Sequence, residues 1–128
     1  MKWRTEIKLN FKRNSILGLF KSFRKVNIGF LFTWKAWLIA YDVFDVDPDS
    51  FTKLDQEKQI IALCYGAAVW DCIQAGKNVF FTYEDIRIGL DKATKEENRK
   101  LGETIKEAQF PDWLKNVASD SKKKTKTN

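Results

Sequence analysis

Apolar and polar residues alternate from the start of the chain: Trp3, Thr5, Ile7, Leu9 and Phe11 are interleaved with Arg4, Glu6, Lys8 and Asn10. A period of two puts one set on each face of a half-buried strand, so residues 3–11 are predicted to be extended. The period then changes. Ile16, Leu19, Phe20 and Phe23 fall at i, i+3, i+4 and i+7 behind Asn14-Ser15, which predicts a helix over residues 14–25. Residues 26–32 (VNIGFLF) are apolar and rich in β-branched and aromatic side chains, so they are predicted to pair antiparallel with the first strand. Gly29, in the middle of that segment, is unfavourable for a strand interior.

From Thr33 onward the pattern is helical. Thr33 is a predicted N-cap for a helix over residues 34–44, with Trp34, Trp37, Leu38, Tyr41 and Phe44 within an arc of about 120°. That face reads either as ordinary core or as an aromatic platform for an apolar partner. The run Asp45-Val46-Asp47-Pro48-Asp49-Ser50 follows. It fails the calcium-loop template, because Ser50 and Gln56 stand where Gly and Glu are required, and it is predicted to be a proline turn.

Residues 60–70 (IIALCYGAAVW) are all apolar or small. They are too few to span a bilayer, which needs about 20 such residues. On the predicted helix 55–75, closed by Gly76, they form three stripes: Leu63, Ala67 and Trp70; Ala62, Gly66, Val69 and Ile73; and Ile61, Cys64, Ala68 and Cys72. A helix apolar on all sides is buried on all sides. The 34–44 and 83–92 helices are expected to cover two of those faces. The small-residue face of Ala62, Gly66, Val69 and Ile73 is then the first candidate for a partner. Asp71, at the edge of the apolar run, needs either water or a Lys/Arg partner.

Thr82 and Asp85 have the spacing of a capping box, with Phe81 and Ile86 as its hydrophobic staple, and open a helix whose Ile86, Leu90 and Ala93 point inward. Thr94 and Glu97 repeat the signal for residues 95–109, whose apolar stripe is narrow (Leu101, Ile105, Ala108) and whose Glu96–Lys100 and Arg99–Glu103 pairs are spaced for contact. Phe110, Trp113 and Leu114 suggest a short, pinned last turn. Residues 118–128 carry no large apolar side chain and are expected to be a disordered, Lys-rich tail.

The expected fold is therefore mostly α: a compact bundle of about four to five helices with a short N-terminal antiparallel β element. Residues 1–117 are expected to form one globular domain, with a basic β/helix segment at 1–33 and a helical body at 34–117. Neither a signal peptide nor a membrane anchor is read in the sequence.

Charge divides the chain more sharply than the net +6 suggests. Residues 1–35 hold nine Lys/Arg against Glu6, whereas residues 36–118 hold ten basic and fifteen acidic side chains. A basic end on an acidic body suits an acidic partner or head-to-tail self-association; it equally suits a merely solvated surface. Catalytic chemistry is not legible. The chain has no histidine, which removes imidazole shuttles and Ser-His or Cys-His pairs. Cys64 and Cys72 sit about 12 Å apart along one helix, too far to bridge. No glycine spacing matches a phosphate-binding loop. No enzyme activity, cofactor or metal is expected.

Nucleic acid is the alternative partner, through Lys8, Lys12, Arg13, Arg24 and Lys25 with the strand's aromatic residues. The acidic Glu96, Glu97, Glu103 and Glu107 argue against a recognition helix at 95–109.

Three phrases carry a family resemblance: FTWKAWL at 32–38, IIALCYGAAVWDCIQAGK at 60–77 and FTYEDIRIGLD at 81–91. With the order of elements, they resemble the tail assembly chaperones of long-tailed bacteriophages over about residues 29–114. The resemblance implies a small helical protein of the host cytoplasm that is not part of the mature virion. It implies binding to the tape-measure protein and help for tail-tube subunits assembling around it, without catalysis and without membrane contact. It also implies a longer form made by frameshifting, for which Lys122-Lys123-Lys124 is a candidate site. The residues expected to meet the partner are Trp34, Trp37, Tyr41 and Phe44 on one helix and Ala62, Gly66, Val69 and Ile73 on the other.

Overall fold

The alternating N-terminal pattern becomes one strand of a long hairpin. A computed structural model, which describes residues 3–14 and 21–108, pairs β1 (Arg4–Asn14) with β2 (Lys21–Leu31) in antiparallel register, from Arg4 opposite Leu31 to Asn14 opposite Lys21. Ile7 faces Ile28 and Leu9 faces Val26, and this row, with Phe11 and Phe30, is turned to the core. Arg4, Glu6, Lys8, Lys25 and Asn27 lie on the other row and are exposed. Period two thus fixes which side is buried.

The predicted helix over 14–25 is corrected at both ends: Asn14 closes β1, and residues 21–25 open β2. Residues 15–20 lie outside the described residues. Four apolar side chains at helical spacing are a weak signal against an eleven-residue cross-strand ladder. Gly29 is tolerated within β2 for a local reason. A side chain there would collide with the Asp71 carboxylate and the Arg4 guanidinium, which meet over it.

The body is helical: α1 (Trp34–Val43), α2 (Pro48–Thr52), α3 (Gln56–Gln74), α4 (Tyr83–Asp91) and α5 (Lys95–Glu107). Thr33 caps α1 by accepting from the Lys35 N–H at 3.3 Å. The segment read as a proline turn, residues 45–50, turns at Asp45 and then runs into α2 from Pro48. Asp47 caps it by accepting from the Ser50 N–H at 2.7 Å, and Pro48 occupies the first turn, where its missing N–H costs nothing. The product of that short helix is Phe51, fully buried against Tyr41 and Trp37 at ring separations of 5.1 and 5.8 Å.

α3 is the buried axis that its composition demands. Leu63, Cys64, Ala67, Ala68 and Cys72 join the hairpin's inner row, Ile86 and Leu101 in the main core. Ala62 joins Ala40, Tyr41 and Phe51 in a second, smaller one. Gly76 follows the Ala75 C-cap with φ 69°, a conformation suited to glycine.

Both later helices start as their sequences specify. The Thr82 N–H donates to Asp85 Oδ2 at 2.9 Å while the Asp85 N–H donates to Thr82 Oγ1 at 3.2 Å, and Thr94 and Glu97 do the same for α5. The staple residues Phe81 and Ile86 are both buried. On α5, Arg99 pairs with Glu103 and with Glu96. The expected Glu96–Lys100 pair is replaced, since Lys100 donates to the Glu6 carbonyl of β1 at 3.1 Å. The expected last turn, the tail at 118–128 and the domain limit at 117 fall outside the described residues.

Candidate interaction surface

The aromatic face predicted on α1 divides into a buried part and an open part. Ala36 and Ala40 are fully buried, which rotates α1 so that Trp37, Tyr41 and Phe44 turn inward. Trp37 and Tyr41 pack on Phe51, and Phe44 meets Tyr83 edge-on at 5.6 Å. Burial also pushes the Tyr41 hydroxyl above its ordinary range. Trp34 and Leu38, one turn apart, stay 42% and 41% exposed. Of the residues named for a partner on this helix, Trp34 alone is open.

The small-residue face of α3 is not open along its length either. A methyl group at Gly66 would collide with the Ala36 carbonyl oxygen, so α1 lies directly on this face. Ala62 is fully buried beside Ala40 and Tyr41, and Val69 packs against the main core. Small residues invite close helix approach, and α1 takes the place that the sequence assigned to a partner. Ile73 differs. The two helices run antiparallel, with Ala62 near Ala40 and Gly66 near Ala36, so the end of α3 overhangs the start of α1 and leaves Ile73 51% exposed.

Lys35 occupies the step between those helices. Its Nζ lies 4.2 Å from the Trp34 ring centroid and 5.7 Å from that of Trp70, a cation held by two indole rings. Sequence reasoning missed Lys35 and Trp70, and it placed Leu38 on the α1 face but outside the set expected to meet the partner. Trp34 and Leu38 form an i, i+4 pair off the centre of the wheel, a usable sign, but only the packing shows where the centre lies.

A second apolar depression of about 600 Å³ runs between α3, α4 and α5, floored by Ile61, Cys64, Leu90, Leu101 and Ile105 with Ile60 on its rim. Cys64 is inert there: burial pushes its thiol up to about 12, and Cys72 is raised for the same reason. The two thiols are free.

Asp71 finds the partner its position required. It accepts from Arg4 Nε at 2.6 Å and Nη2 at 3.2 Å, a two-pronged contact between α3 and the start of the hairpin. Arg4 also pairs with Glu6, and these carboxylates hold its guanidinium above the ordinary value.

The proposed nucleic-acid residues Lys8, Lys25 and Arg24 divide between the two rows of the hairpin. Lys8 and Lys25 lie on the outer row, Arg24 is exposed on the row of Phe11, and Lys12 and Arg13 pair with Phe23 and Ser22. Ile7, Leu9 and Phe11 point into the core, so the ring of Phe11 is not presented for base stacking. Acidic Glu96 and Glu97 line the same hollow as Lys8.

Among the described residues no group of three or more His, Cys, Asp or Glu side chains is placed to hold a metal ion, and no helix is long and apolar enough to cross a membrane. Comparisons with protein-family models, with curated proteins and with solved structures found no match to this chain.

Proposed function

We propose that this chain is a tail assembly chaperone of a long-tailed bacteriophage, acting in the host cytoplasm and absent from the mature virion. It would bind amphipathic helices of the tape-measure protein and promote tail-tube assembly around them without catalysis. The observation that carries this reading is that α1 and the end of α3 leave large apolar side chains open: Trp34 and Leu38 on α1 and Ile73 on α3. Large exposed apolar side chains, an aromatic one among them, suit a binding surface. The phrases at 32–38 and 60–77, two of those on which the family resemblance rests, fall in the two helices that carry these residues.

The test is co-expression with the very long tape-measure product of the neighbouring gene. The expected result is a co-purifying complex and more soluble tape-measure protein. No complex and no gain in solubility would rule the function out. A gel shift with nucleic acid that weakens steeply with salt would favour the basic hairpin as the working surface instead.

A further inference from the structure

We infer that the apolar depression between α3, α4 and α5 is the seat of the chain's own C-terminal segment, residues 110–117, which lies back along α5 and closes it. The depression opens at the surface of the body: its floor is Ile61, Cys64, Leu90, Leu101 and Ile105, and Ile60 on its rim is 46% exposed. Residues 109–128 lie outside the described residues, and their large apolar side chains are Phe110, Trp113, Leu114 and Val117. The spacing i, i+3, i+4 and i+7 gathers these four on one face of two helical turns. Such a face needs a cover, and the polar, lysine-rich residues after it supply none.

The point at which the chain leaves the body selects that cover. Ile105 and Lys106, in the last turn of α5, form one end of the depression, and Ala108, which ends the helix with extended backbone, is 4% exposed. Pro111 keeps α5 from running on, because it lacks an N–H and its ring clashes with the preceding turn. Short connections of this kind join antiparallel helices. Along α5 the depression extends from Asn98 to Lys106, a rise of about 12 Å, and a helical stripe from Phe110 to Val117 is about 10 Å long. The rim offers both signs of charge, Arg87 and Lys106 against Glu57 and Asp91, so Asp112 and Lys115 meet no single-signed barrier. Tethering favours this occupant over a free one: a segment joined to the rim by a few residues is present at a roughly millimolar local concentration.

The test uses the full-length protein with p-benzoylphenylalanine at position 113, irradiated and mapped by mass spectrometry. The expected product is a crosslink within one molecule to the residues that line the depression, in a yield that does not change with protein concentration. A crosslink to a second copy, a crosslink elsewhere on the chain, or none at all would overturn the inference. Stability supplies an independent readout. Trp113→Ala with Leu114→Ala is expected to lower the thermal midpoint by at least about 3 °C. Ile60→Asp should lower it comparably in the parent chain and much less in that double variant, since both changes remove one contact. An unmoved midpoint in the double variant, or an equal cost of Ile60→Asp in both backgrounds, would overturn the inference as well. None of these measurements involves the tape-measure protein, so the proposed function stands or falls separately, on the co-expression result.

Discussion

Gly66 and Gly29 show how much a single missing side chain decides in this chain. At Gly66 the obstacle is the backbone of α1, which cannot move aside without parting two helices. Gly66→Ala is therefore expected to cost about 1–3 kcal/mol, the range for forcing an extra methyl group into a packed site. At Gly29 the obstacles are the tips of Arg4 and Asp71. Those can swing away at the expense of their ion pair, so Gly29→Ala should cost less, about 1 kcal/mol. Gly102, inside α5, has nothing near the position of its absent side chain, and Gly102→Ala should stabilise by up to about 1 kcal/mol through helix propensity. Urea unfolding of the three variants should rank them in that order. A neutral Gly66→Ala would mean that α1 and α3 are not in direct contact. The sequence announced Gly66 as a place of close approach; it did not say what approaches.

At the scale of elements, the helix starts were the most legible features. Thr33, Thr82 and Thr94 each cap the helix assigned to them, because capping depends on residues within one turn and needs no tertiary information. Thr82→Ala and Thr94→Ala are each expected to lower stability by about 1 kcal/mol, with Ser restoring most of it. The Thr82 variant should also loosen Phe81, which meets Phe11 and Tyr65 at ring separations of 6.2 and 6.1 Å. Near-equal stability of Ala and Ser variants at either position would show that the cap bonds contribute little. By the same local logic α2 was readable as Asp47-Pro48, an N-cap followed by proline, but the three aspartates drew attention to a loop. The helix expected at residues 21–25 has the opposite origin. There the local spacing was genuine, and pairing with a strand distant in space prevailed over residues 21–25.

Across the whole molecule, the basic hairpin is fastened to the acidic helical body. Arg4 reaches Asp71 on α3, and Lys100 on α5 reaches the Glu6 carbonyl, so both sides of the body hold β1. Asp71 is the more buried of the charged pair, its side chain 14% exposed against 38% for Arg4. A double-mutant cycle with Arg4→Met and Asp71→Asn should give a coupling of about 1 kcal/mol that shrinks as salt is raised. No coupling would mean that the hairpin is held by its apolar row alone.

The sequence by itself determined the mostly helical class, the inward row of the first strand, the burial of α3 and the three threonine caps. Each of these follows from periodicity or from bonds within a turn, so a single stretch of chain contains its cause. Tertiary structure alone decided which apolar faces remain open. The stripe of Ala62 and Gly66 and the pair Trp34–Leu38 were equally apolar on the wheel. One was covered by α1 because small residues let a backbone approach, and the other was left outside because Ala36 and Ala40 turned α1 towards that contact. Whether an apolar face is core or surface depends on which neighbour reaches it, and no local pattern carries that information.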